Sequence, residues 1–243
     1  MSLETEVAAL TAVNNKLVDT VNAKMAGINA AVAAAVAAAP EMYRNYFVDP
    51  VIGSDTDGQG TVASPFKTIA KAIAATPLGG RCDATLLKDF TLAGHVSLNG
   101  RKLALRGELN AGRKLILNEF VPDGEALMRM GSFWHSDGST LDISNLTVSF
   151  PASSAGDLSA YYCFAFGSGS SAPILNQLRF YNCTLELRGT FRGKIFGPNT
   201  ALYALQMSST VMPSGLAGLI LNGVAAGTKS ETIPHILTNL STL

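Results

Sequence analysis

The stretch that decides the fold is YRNYFVDPVIGSDTDGQG at residues 43–60, followed by SPFKTIAKAI at residues 64–73. Residues 46–48 are strand formers, and Asp49-Pro50 begins a turn directly after them. Three glycines in the following loop permit positive φ. Ser64 is a good helix N-cap and Pro65 suits the first helical position, so a helix is expected to begin there. The stretch therefore predicts a strand, an Asp/Gly-rich loop and a short helix.

An alanine-rich segment with an apolar seam precedes this stretch. The seam residues recur at intervals of four and three, and after a shift of one position the seam continues to Ile28: Leu3, Val7, Leu10, Asn14, Leu17, Val21 and Ile28. This spacing predicts a helix that associates with other helices through the seam. Asn14 falls on a core position, where a buried amide fixes register and oligomeric state. Pro40 is expected to end the helix. A helix packed on its own domain is the alternative.

After the stretch, residues 78–243 consist of short apolar runs separated by Gly, Asn and Ser. Most runs alternate apolar and polar residues, which predicts strands with one buried face. The predicted strands are 84–87, 95–98, 102–105, 114–117, 141–143, 146–148, 178–180 and 185–187. Segments 141–148, 178–185 and 205–212 repeat one pattern, with Asn145 and Asn182 where one strand turns into the next. Repeats of this kind predict stacked turns of chain around a continuous core.

A β-sandwich is the alternative architecture for this region. It predicts tight hairpins, and Asn99-Gly100 between two apolar runs is a hairpin signal. Residues 213–243 carry little charge and many apolar residues. We expect them to close the core and to meet partner chains, with residues 233–240 as a short terminal cap.

The motif Asp-Pro, Gly-Ser-Asp-x-Asp-Gly, then Ser-Pro-Phe-x-Thr-Ile-x-x-Ala-Ile resembles the entry segment of right-handed parallel β-helix proteins of the pectate-lyase-like kind. Such segments are common in bacteriophage tailspikes and tail fibres. The resemblance implies a mainly β fold class: a short right-handed parallel β-helix with an N-terminal α-helical coiled-coil stem and a capping helix. It divides the chain into a stem at 1–40, a strand-loop-helix entry cap at 41–77, and a short β-helix body with a C-terminal cap at 78–243.

Composition argues against several classes of function. Lys and Arg total 18, and Asp and Glu total 18, so the neutral chain lacks the basic footprint of a nucleic-acid-binding protein. The apolar run at 28–39 is too short to span a bilayer, so no membrane insertion is expected. Cys82, Cys163 and Cys183 have neither disulfide-framework nor metal-site spacing. We expect them to be buried side chains in a protein made in a reducing cytoplasm.

The sequence contains no recognised catalytic motif. His95, His135 and His235 lack metal-ligand spacing, and Asp49, Asp55 and Asp57 lack the calcium loop that ends in Glu. These three aspartates are predicted to hold turns. Glycan cleavage would need two converging carboxylates, and nothing in the sequence brings a pair together. The available acids are Glu119, Asp123, Glu125, Asp137, Asp142, Asp157 and Glu186. No catalytic residue, cofactor or metal is therefore predicted.

Two aromatic loops are the candidate ligand-binding sites. Residues 131–138 carry the only tryptophan, Trp134, beside His135, and residues 159–164 carry Tyr161 and Tyr162. Aromatic rings can stack on sugars, and Trp and Tyr are enriched at binding hot spots. These four residues are predicted to contact a ligand, although one member of the adjacent Tyr pair must face inward. Packing within the core is the alternative.

With the resemblance, these features predict a homotrimeric phage tail fibre or receptor-binding protein that adheres to the host surface. The trimer is implied by the resemblance, because heptads alone do not distinguish a dimer from a trimer. The expected partners are other phage tail or baseplate proteins and a host surface glycan or outer-membrane receptor. The expected location is the virion tail, after assembly in the host cytoplasm.

Two alternatives remain open at this point. One is a structural tail adaptor or fibre component that binds other virion proteins, which suits the low charge. The other is a tailspike that depolymerises a polysaccharide. The sequence leans away from enzymatic activity without deciding the question.

Overall fold

The computed structural model describes residues 2–38, 41–136, 138–154, 156–167, 174–198 and 202–243. The chain divides into two compact units, Met1–Glu41 and Met42–Leu243. Pro40, predicted to end the first helix, and Asp137, one of the candidate acids, lie outside the described residues.

The first unit is one long helix, α1, at Leu3–Ala38. Its many alanines favour the helix, and Glu4 and Glu6 suit the positive end of the helix dipole. Every side chain from residue 2 to residue 36 is exposed, including the apolar seam, where Leu3 is 77% and Val21 is 47% exposed. A coiled coil needs a second helix against the seam, and these exposed side chains have none.

The second unit begins with strand β1 at Tyr43–Val48 and the short helix α2 at Ile69–Ala74. Thr68 is the N-cap of α2, because its hydroxyl oxygen accepts a hydrogen bond from the Lys71 backbone N–H at 3.1 Å. The prediction that Ser64 caps this helix is therefore wrong. Residues 64–65 continue the loop, and Phe66 pairs with Val48 before the helix begins.

Two aspartates hold the loop between β1 and α2. Asp55 Oδ1 accepts hydrogen bonds from the backbone N–H groups of Lys67 at 2.9 Å and Thr68 at 3.0 Å. Its Oδ2 accepts the Thr68 hydroxyl at 2.7 Å. Asp49 Oδ1 accepts the backbone N–H of Val51 at 2.8 Å. Both aspartates therefore hold turns, as the sequence predicted.

Gly60 has a positive φ of 74°. A Cβ at this position would also collide with the rings of Tyr46 and Phe66, which lie 5.0 Å apart. Gly53 is needed for a different reason, since its φ is ordinary but a Cβ would meet backbone oxygens. Of the three loop glycines that permit positive φ, Gly60 is the one that adopts it.

The remaining strands of the described residues are short, and all but one pair of them join parallel sheets. They are β2 (Arg81–Leu86), β3 (Phe90–Leu92), β4 (His95–Ser97), β5 (Lys102–Gly107), β6 (Lys114–Leu117), β7 (Glu119–Phe120), β8 (Arg129–Met130), β9 (Ser132–His135), β10 (Thr140–Ser144), β11 (Thr147–Phe150), β12 (Cys163–Gly167), β13 (Leu175–Tyr181), β14 (Thr184–Leu187), β15 (Lys194–Phe196), β16 (Leu202–Ser208) and β17 (Ile236–Thr238). The eight runs predicted as strands each overlap one of these.

Within the described residues the strands form three parallel sheets and one antiparallel pair, β7-β8. Sheet A has the order β1-β2-β5-β10-β13-β16-β17, sheet B has β3-β6-β11-β14, and sheet C has β4-β9-β12-β15. The chain passes from sheet A to B to C and then returns to A. Each strand of these three sheets therefore pairs with strands that lie one turn of chain earlier or later.

The predicted sequence repeat is confirmed by the strand register. Leu141 pairs with Leu178, which pairs with Leu205 in sheet A, and Val148 pairs with Leu185 in sheet B. Because side chains in a strand alternate between faces, equivalent apolar residues of successive turns point to the same core. The repeat is therefore the stacking unit of the fold.

Asn residues make the corner between sheets A and B. Asn145 and Asn182 have φ values of 53° and 51°, and Ser209 has 50° at the equivalent place in the next turn. Asn tolerates this left-handed conformation better than most residues. The Asn182 side chain also donates a hydrogen bond to Asn145 Oδ1 at 2.8 Å. The predicted placement of Asn145 and Asn182 where one strand turns into the next is confirmed.

The Asn99-Gly100 turn does not make the hairpin that the β-sandwich alternative requires. Both residues have positive φ. The strands on either side belong to different sheets, since β4 pairs with β9 and β5 pairs with β2 and β10. A local turn signal fixes the turn, and the partners of the flanking strands come from distant parts of the chain.

A single cluster of buried apolar side chains connects the three sheets. Phe164 shows this directly, because its ring lies 5.5 Å from Phe133 of sheet C, 6.0 Å from Phe150 of sheet B and 5.7 Å from Phe180 of sheet A. The C-terminal residues close this core, with Leu216 and Ile220 fully buried. The three cysteines are buried free thiols, as expected.

The predicted fold class is wrong. The sequence was interpreted as a mainly β right-handed parallel β-helix with a coiled-coil stem. The described residues instead form an α/β fold with parallel sheets, accompanied by the helices α1 and α2. The resemblance rested on a local motif, which predicts the order of nearby elements and leaves the class of the whole fold open.

Candidate functional site

The two predicted aromatic loops contribute to one outer surface next to sheet C. Residues 132–135 are strand β9, so half of the first predicted loop is strand, and the second predicted loop leads into strand β12 at residue 163. Alternation along β9 leaves Trp134 37% exposed and buries His135 completely. Tyr162 is 2% exposed, whereas Tyr161 is half-buried at the surface. One residue of each predicted pair therefore faces outward.

Phe166 brings the two outward residues together. Its ring centroid lies 5.3 Å from that of Trp134 and 5.4 Å from that of Tyr161. The His95 ring packs edge-on against Phe166 at 5.1 Å and against Phe120 at 4.9 Å. We call this surface the Trp134 patch, and it consists of His95, Phe120, Arg129, Trp134, Tyr161 and Phe166.

Arg129 supplies the charge of the Trp134 patch and is held on three sides. Its Nε and Nη2 donate to the two carboxylate oxygens of Glu125 at 2.8 and 2.6 Å. Its guanidinium carbon lies 5.0 Å from the centroid of the Tyr161 ring. Its Nη1 lies 3.0 Å from His95 Nε2. A bidentate ion pair with a stacked ring fixes the orientation of a guanidinium, so the patch is pre-organised.

His95 is neutral and hydrogen-bonded on both ring nitrogens. Arg129 can only donate, so His95 Nε2 accepts, and Nδ1 donates to Ser132 Oγ at 2.6 Å. Burial lowers the pKa of His95 to about 4, and the Arg129 charge adds to this while Glu125 opposes it. Ser132 is fully buried beneath the ring. The Ser-His contact therefore fixes the ring and presents no accessible nucleophile.

The inward members of the predicted pairs belong to the core. Neither ring nitrogen of His135 makes a hydrogen bond of ordinary geometry in the described part of the chain, and burial lowers its pKa to about 4, which a backbone contact with Ser139 partly opposes. Tyr162 donates to Glu119 Oε1 at 2.7 Å, and burial raises the pKa of its hydroxyl. His135 is fully buried and Tyr162 nearly so, and neither ring lies on the outer surface that Trp134 and Tyr161 share.

Most of the candidate acids are occupied by partners. Glu119 accepts from Tyr162, Glu125 pairs with Arg129, and Asp142 pairs with Arg179 at 3.3 Å. Glu186 pairs with Lys114 at 3.0 Å, and this lysine helps to lower the pKa of Glu186 after the larger effect of a Ser149 hydrogen bond. Asp123 and Asp157 are exposed loop residues. The contacts of the described residues join no two of these carboxylates.

Two further observations bear on metals and membranes. Across the described ranges, no three or more His, Cys, Asp or Glu side chains cluster so that they could hold a metal ion. Neither helix of the described residues has both the length and the apolar character needed to cross a bilayer.

Sequence reasoning missed four members of the Trp134 patch: His95, Phe120, Arg129 and Phe166. Their residue types gave a signal, since each is aromatic or cationic in an apolar run. Their convergence depends on the register of sheet C, in which Trp134 pairs with Phe166 and His95 with Ser132. That register joins distant strands and is not encoded by any local spacing.

Comparisons with known proteins give little to set beside this geometry. No family model matches the chain, and no curated protein sequence matches it either. Among solved structures, the chain is similar to the crystal structure of a GH136 lacto-N-biosidase from Eubacterium ramulus, in its selenomethionine derivative, with 11% sequence identity and a TM-score of 0.31. The likeness covers 70% of this chain and 31% of that one. A likeness at this level carries no argument about function.

Proposed function

We propose that the chain is a homotrimeric receptor-binding protein of a phage tail fibre, which recognises a glycan on the host surface. The observation that supports this function is the Trp134 patch. An exposed indole, two supporting rings and a fixed guanidinium lie together on an outer face of the second unit. The protein would act in the virion tail, beside other tail or baseplate proteins.

The patch suits a sugar ring because it offers an apolar face next to fixed donors. Trp134 is the exposed platform, and Phe166 supports it from the side. Rigid aromatic side chains lose little conformational entropy when they bind. The guanidinium of Arg129 is already ordered by Glu125, so little further ordering is required of it.

Adhesion is favoured over cleavage by the state of the acids. Glu125, the acid nearest the patch, is engaged in a bidentate pair with Arg129. A glycosidase needs one carboxyl group to donate a proton and a second to act opposite it. Glu119 is likewise engaged by the Tyr162 hydroxyl, so we assign a binding role to the patch.

Self-association of α1 would convert weak sugar contacts into stable adhesion. The seam of α1 exposes Leu10 at 71% and Leu17 at 59%, which is costly for a helix in water. Association of three copies through these side chains would cover them. Three linked patches would then bind with an avidity greater than that of one patch.

Glycan recognition is tested by cell adsorption and a glycan array with Trp134→Ala. We expect binding to weaken at least about tenfold, because a stacking platform is lost. Tyr181→Ala removes an exposed aromatic ring from sheet A and serves as the matched control, which we expect to bind normally. Adsorption that is equal in both variants, or a protein that binds tail proteins and no glycan, would favour the structural adaptor.

Self-association is tested by light scattering on the intact chain. We expect a mass of three chains. Leu10→Lys with Leu17→Lys should lower the mass towards one chain, whereas Thr5→Lys with Ala12→Lys, on the opposite side of α1, should leave it unchanged. Asn14→Ile should strengthen association and relax the choice of oligomeric state. A monomer for the unsubstituted chain would rule out the trimer.

A further inference from the structure

A basic pocket adjoins the Trp134 patch. It has a volume of about 390 Å³ and is lined by Ser159, Tyr162, Arg192, Lys194, Phe196 and Asn222 among others. Two of its lining residues, Ala160 and Tyr162, flank Tyr161 of the patch directly in sequence. Its strand β15 is hydrogen-bonded to β12, which carries Phe166. The pocket and the patch are therefore built on neighbouring strands of sheet C.

Neither cation of the pocket, Arg192 or Lys194, pairs with a carboxylate of the described residues. Arg192 Nη2 donates to the backbone oxygens of Ser154 and, at 3.3 Å, of Gly156. Lys194 Nζ donates to the backbone oxygen of Gly218 at 3.1 Å. These contacts orient both side chains and leave their positive charges unneutralised. Among the described residues that line the pocket there is no Asp or Glu.

The pocket is also rich in hydrogen-bond donors that remain available. A guanidinium carries five N–H groups and an ammonium three, and the contacts above use only some of them. The Asn222 side chain is exposed and the Ser159 hydroxyl oxygen accepts only the Tyr161 backbone N–H. Phe196 adds an apolar wall. Excess donors with uncompensated positive charge are complementary to an anionic group.

We infer that this pocket binds the anionic substituent of an acidic glycan whose sugar ring stacks on the Trp134 patch. This inference rests on the proposed function of the patch and specifies its ligand class. The anionic group is a carboxylate, a sulfate or a phosphate. Arg192 and Lys194 select it by charge, and the neighbouring patch binds the ring that carries it.

The test is a glycan array built from matched pairs that differ only in one carboxylate, sulfate or phosphate group. We expect the acidic member of at least one pair to bind at least about tenfold more tightly than its neutral partner, which corresponds to one charge-assisted contact. The affinity of the acidic member should fall as NaCl is raised, and that of the neutral member should change little. The arm that responds identifies the anionic group.

Variants separate the pocket from the patch. Arg192→Gln and Lys194→Gln should each lower the affinity for the acidic glycan towards that for its neutral partner. Lys88 is an exposed lysine elsewhere, and Lys88→Gln should leave the affinity for the acidic glycan unchanged. Trp134→Ala should weaken binding of both the acidic and the neutral glycan. If Arg192→Gln disturbs the loop that Arg192 holds, the salt dependence of the unsubstituted protein still tests whether positive charge contributes to binding the acidic glycan.

Each outcome decides between the two proposals. Trp134-dependent binding that is equal for acidic and neutral members would overturn this inference and leave the proposed function standing. Absence of binding to every pair would overturn both. If Lys88→Gln lost as much affinity for the acidic glycan as Lys194→Gln, the effect would be one of general charge, and the inference about the pocket would be overturned.

Discussion

At the residue scale, the alternation of side chains in a strand decides what each neighbouring pair of residues does. Trp134 and His135 are adjacent in sequence, yet the first is exposed and the second is buried without a hydrogen bond of ordinary geometry in the described structure. Tyr161 and Tyr162 divide in the same way. A prediction made from residue type treats both members alike, so it does not distinguish the outward side chain from the inward one.

The Asn corner gives a prediction about backbone conformation. Asn182→Ala should lower the free energy of unfolding by about 2 kcal/mol, because Ala is strained at positive φ and the bond to Asn145 is lost. Asn182→Gly removes the same bond without the strain and should cost less. Urea denaturation measures both. Equal losses in the two variants would show that the conformation at residue 182 carries no cost.

Buried His135 gives a prediction about acid. Its pKa is about 4 in the folded chain and 6.5 in its ordinary state, so the unfolded chain binds the extra proton between these values. The free energy of unfolding is therefore not reduced by protonation of His135 above pH 6.5. As the pH falls from 6.5 to 4, protonation of His135 in the unfolded chain lowers it by about 3 kcal/mol. His135→Leu should be less sensitive to acid in urea denaturation at pH 7 and pH 4.5.

The matched substitution for that experiment is His235→Leu, at an exposed histidine. At pH 7, His135→Leu should be as stable as the unsubstituted chain or more stable, because both buried ring nitrogens are removed. A His135→Leu variant with the full acid sensitivity of the unsubstituted chain would contradict this account.

At the element scale, helix α2 depends on a carboxylate outside its own sequence. Asp55 accepts three hydrogen bonds from Lys67 and Thr68, and Thr68 then caps the helix. Ser64 has the right residue type for a cap but lies before Phe66, which must first pair with Val48. The tertiary contact moved the start of the helix to a later residue than the local signal predicted.

Substitution of the loop aspartates tests this arrangement. Asp55→Ala should lower the free energy of unfolding by about 2 kcal/mol, since it leaves two backbone N–H groups and a hydroxyl without an acceptor. Asp57→Ala, in the same loop, should change it by less than about 0.5 kcal/mol. Thermal and urea denaturation measure the difference. Equal effects in the two variants would argue against a special role for Asp55.

The strands show how far element prediction can go. The eight predicted runs have enough alternating residues for a period to be visible, and each overlaps a strand. Strand β9 was missed because Ser132 and the glycines at 131 and 138 are typical of a loop. Strand β12 was missed because its five residues are all buried and show no alternation. Short strands buried on both faces carry no periodic signal.

At the scale of the whole molecule, the sequence repeat predicted stacked turns of chain, but the named fold class and the coiled coil were wrong. The Trp134 patch could not be predicted as a unit, because it is assembled by the pairing of β4, β9 and β12. The neutral composition likewise concealed the basic pocket. Arg192 and Lys194 are balanced in the sum by acids that the structure pairs elsewhere, such as Glu186.

The closing strand of sheet A offers a test at this scale. Ile236 is 7% exposed in the core, and its neighbour Leu237 is 72% exposed on the outer face. Ile236→Asp should lower the free energy of unfolding by about 3 kcal/mol or more, because it places an unpaired charge in the core. Leu237→Asp should cost much less. Similar losses for the two variants would show that β17 does not close the core.

The strand order within each sheet follows the order of synthesis. From β1 to β17 in sheet A, and likewise in sheets B and C, neighbours are successive visits of the chain to that sheet. When a strand leaves the ribosome, one of its two sheet neighbours has therefore already been synthesised. Its other neighbour is the next strand of the same sheet to be synthesised. The nascent chain can lay down one turn upon the last, so folding can begin at β1 and advance at the pace of translation.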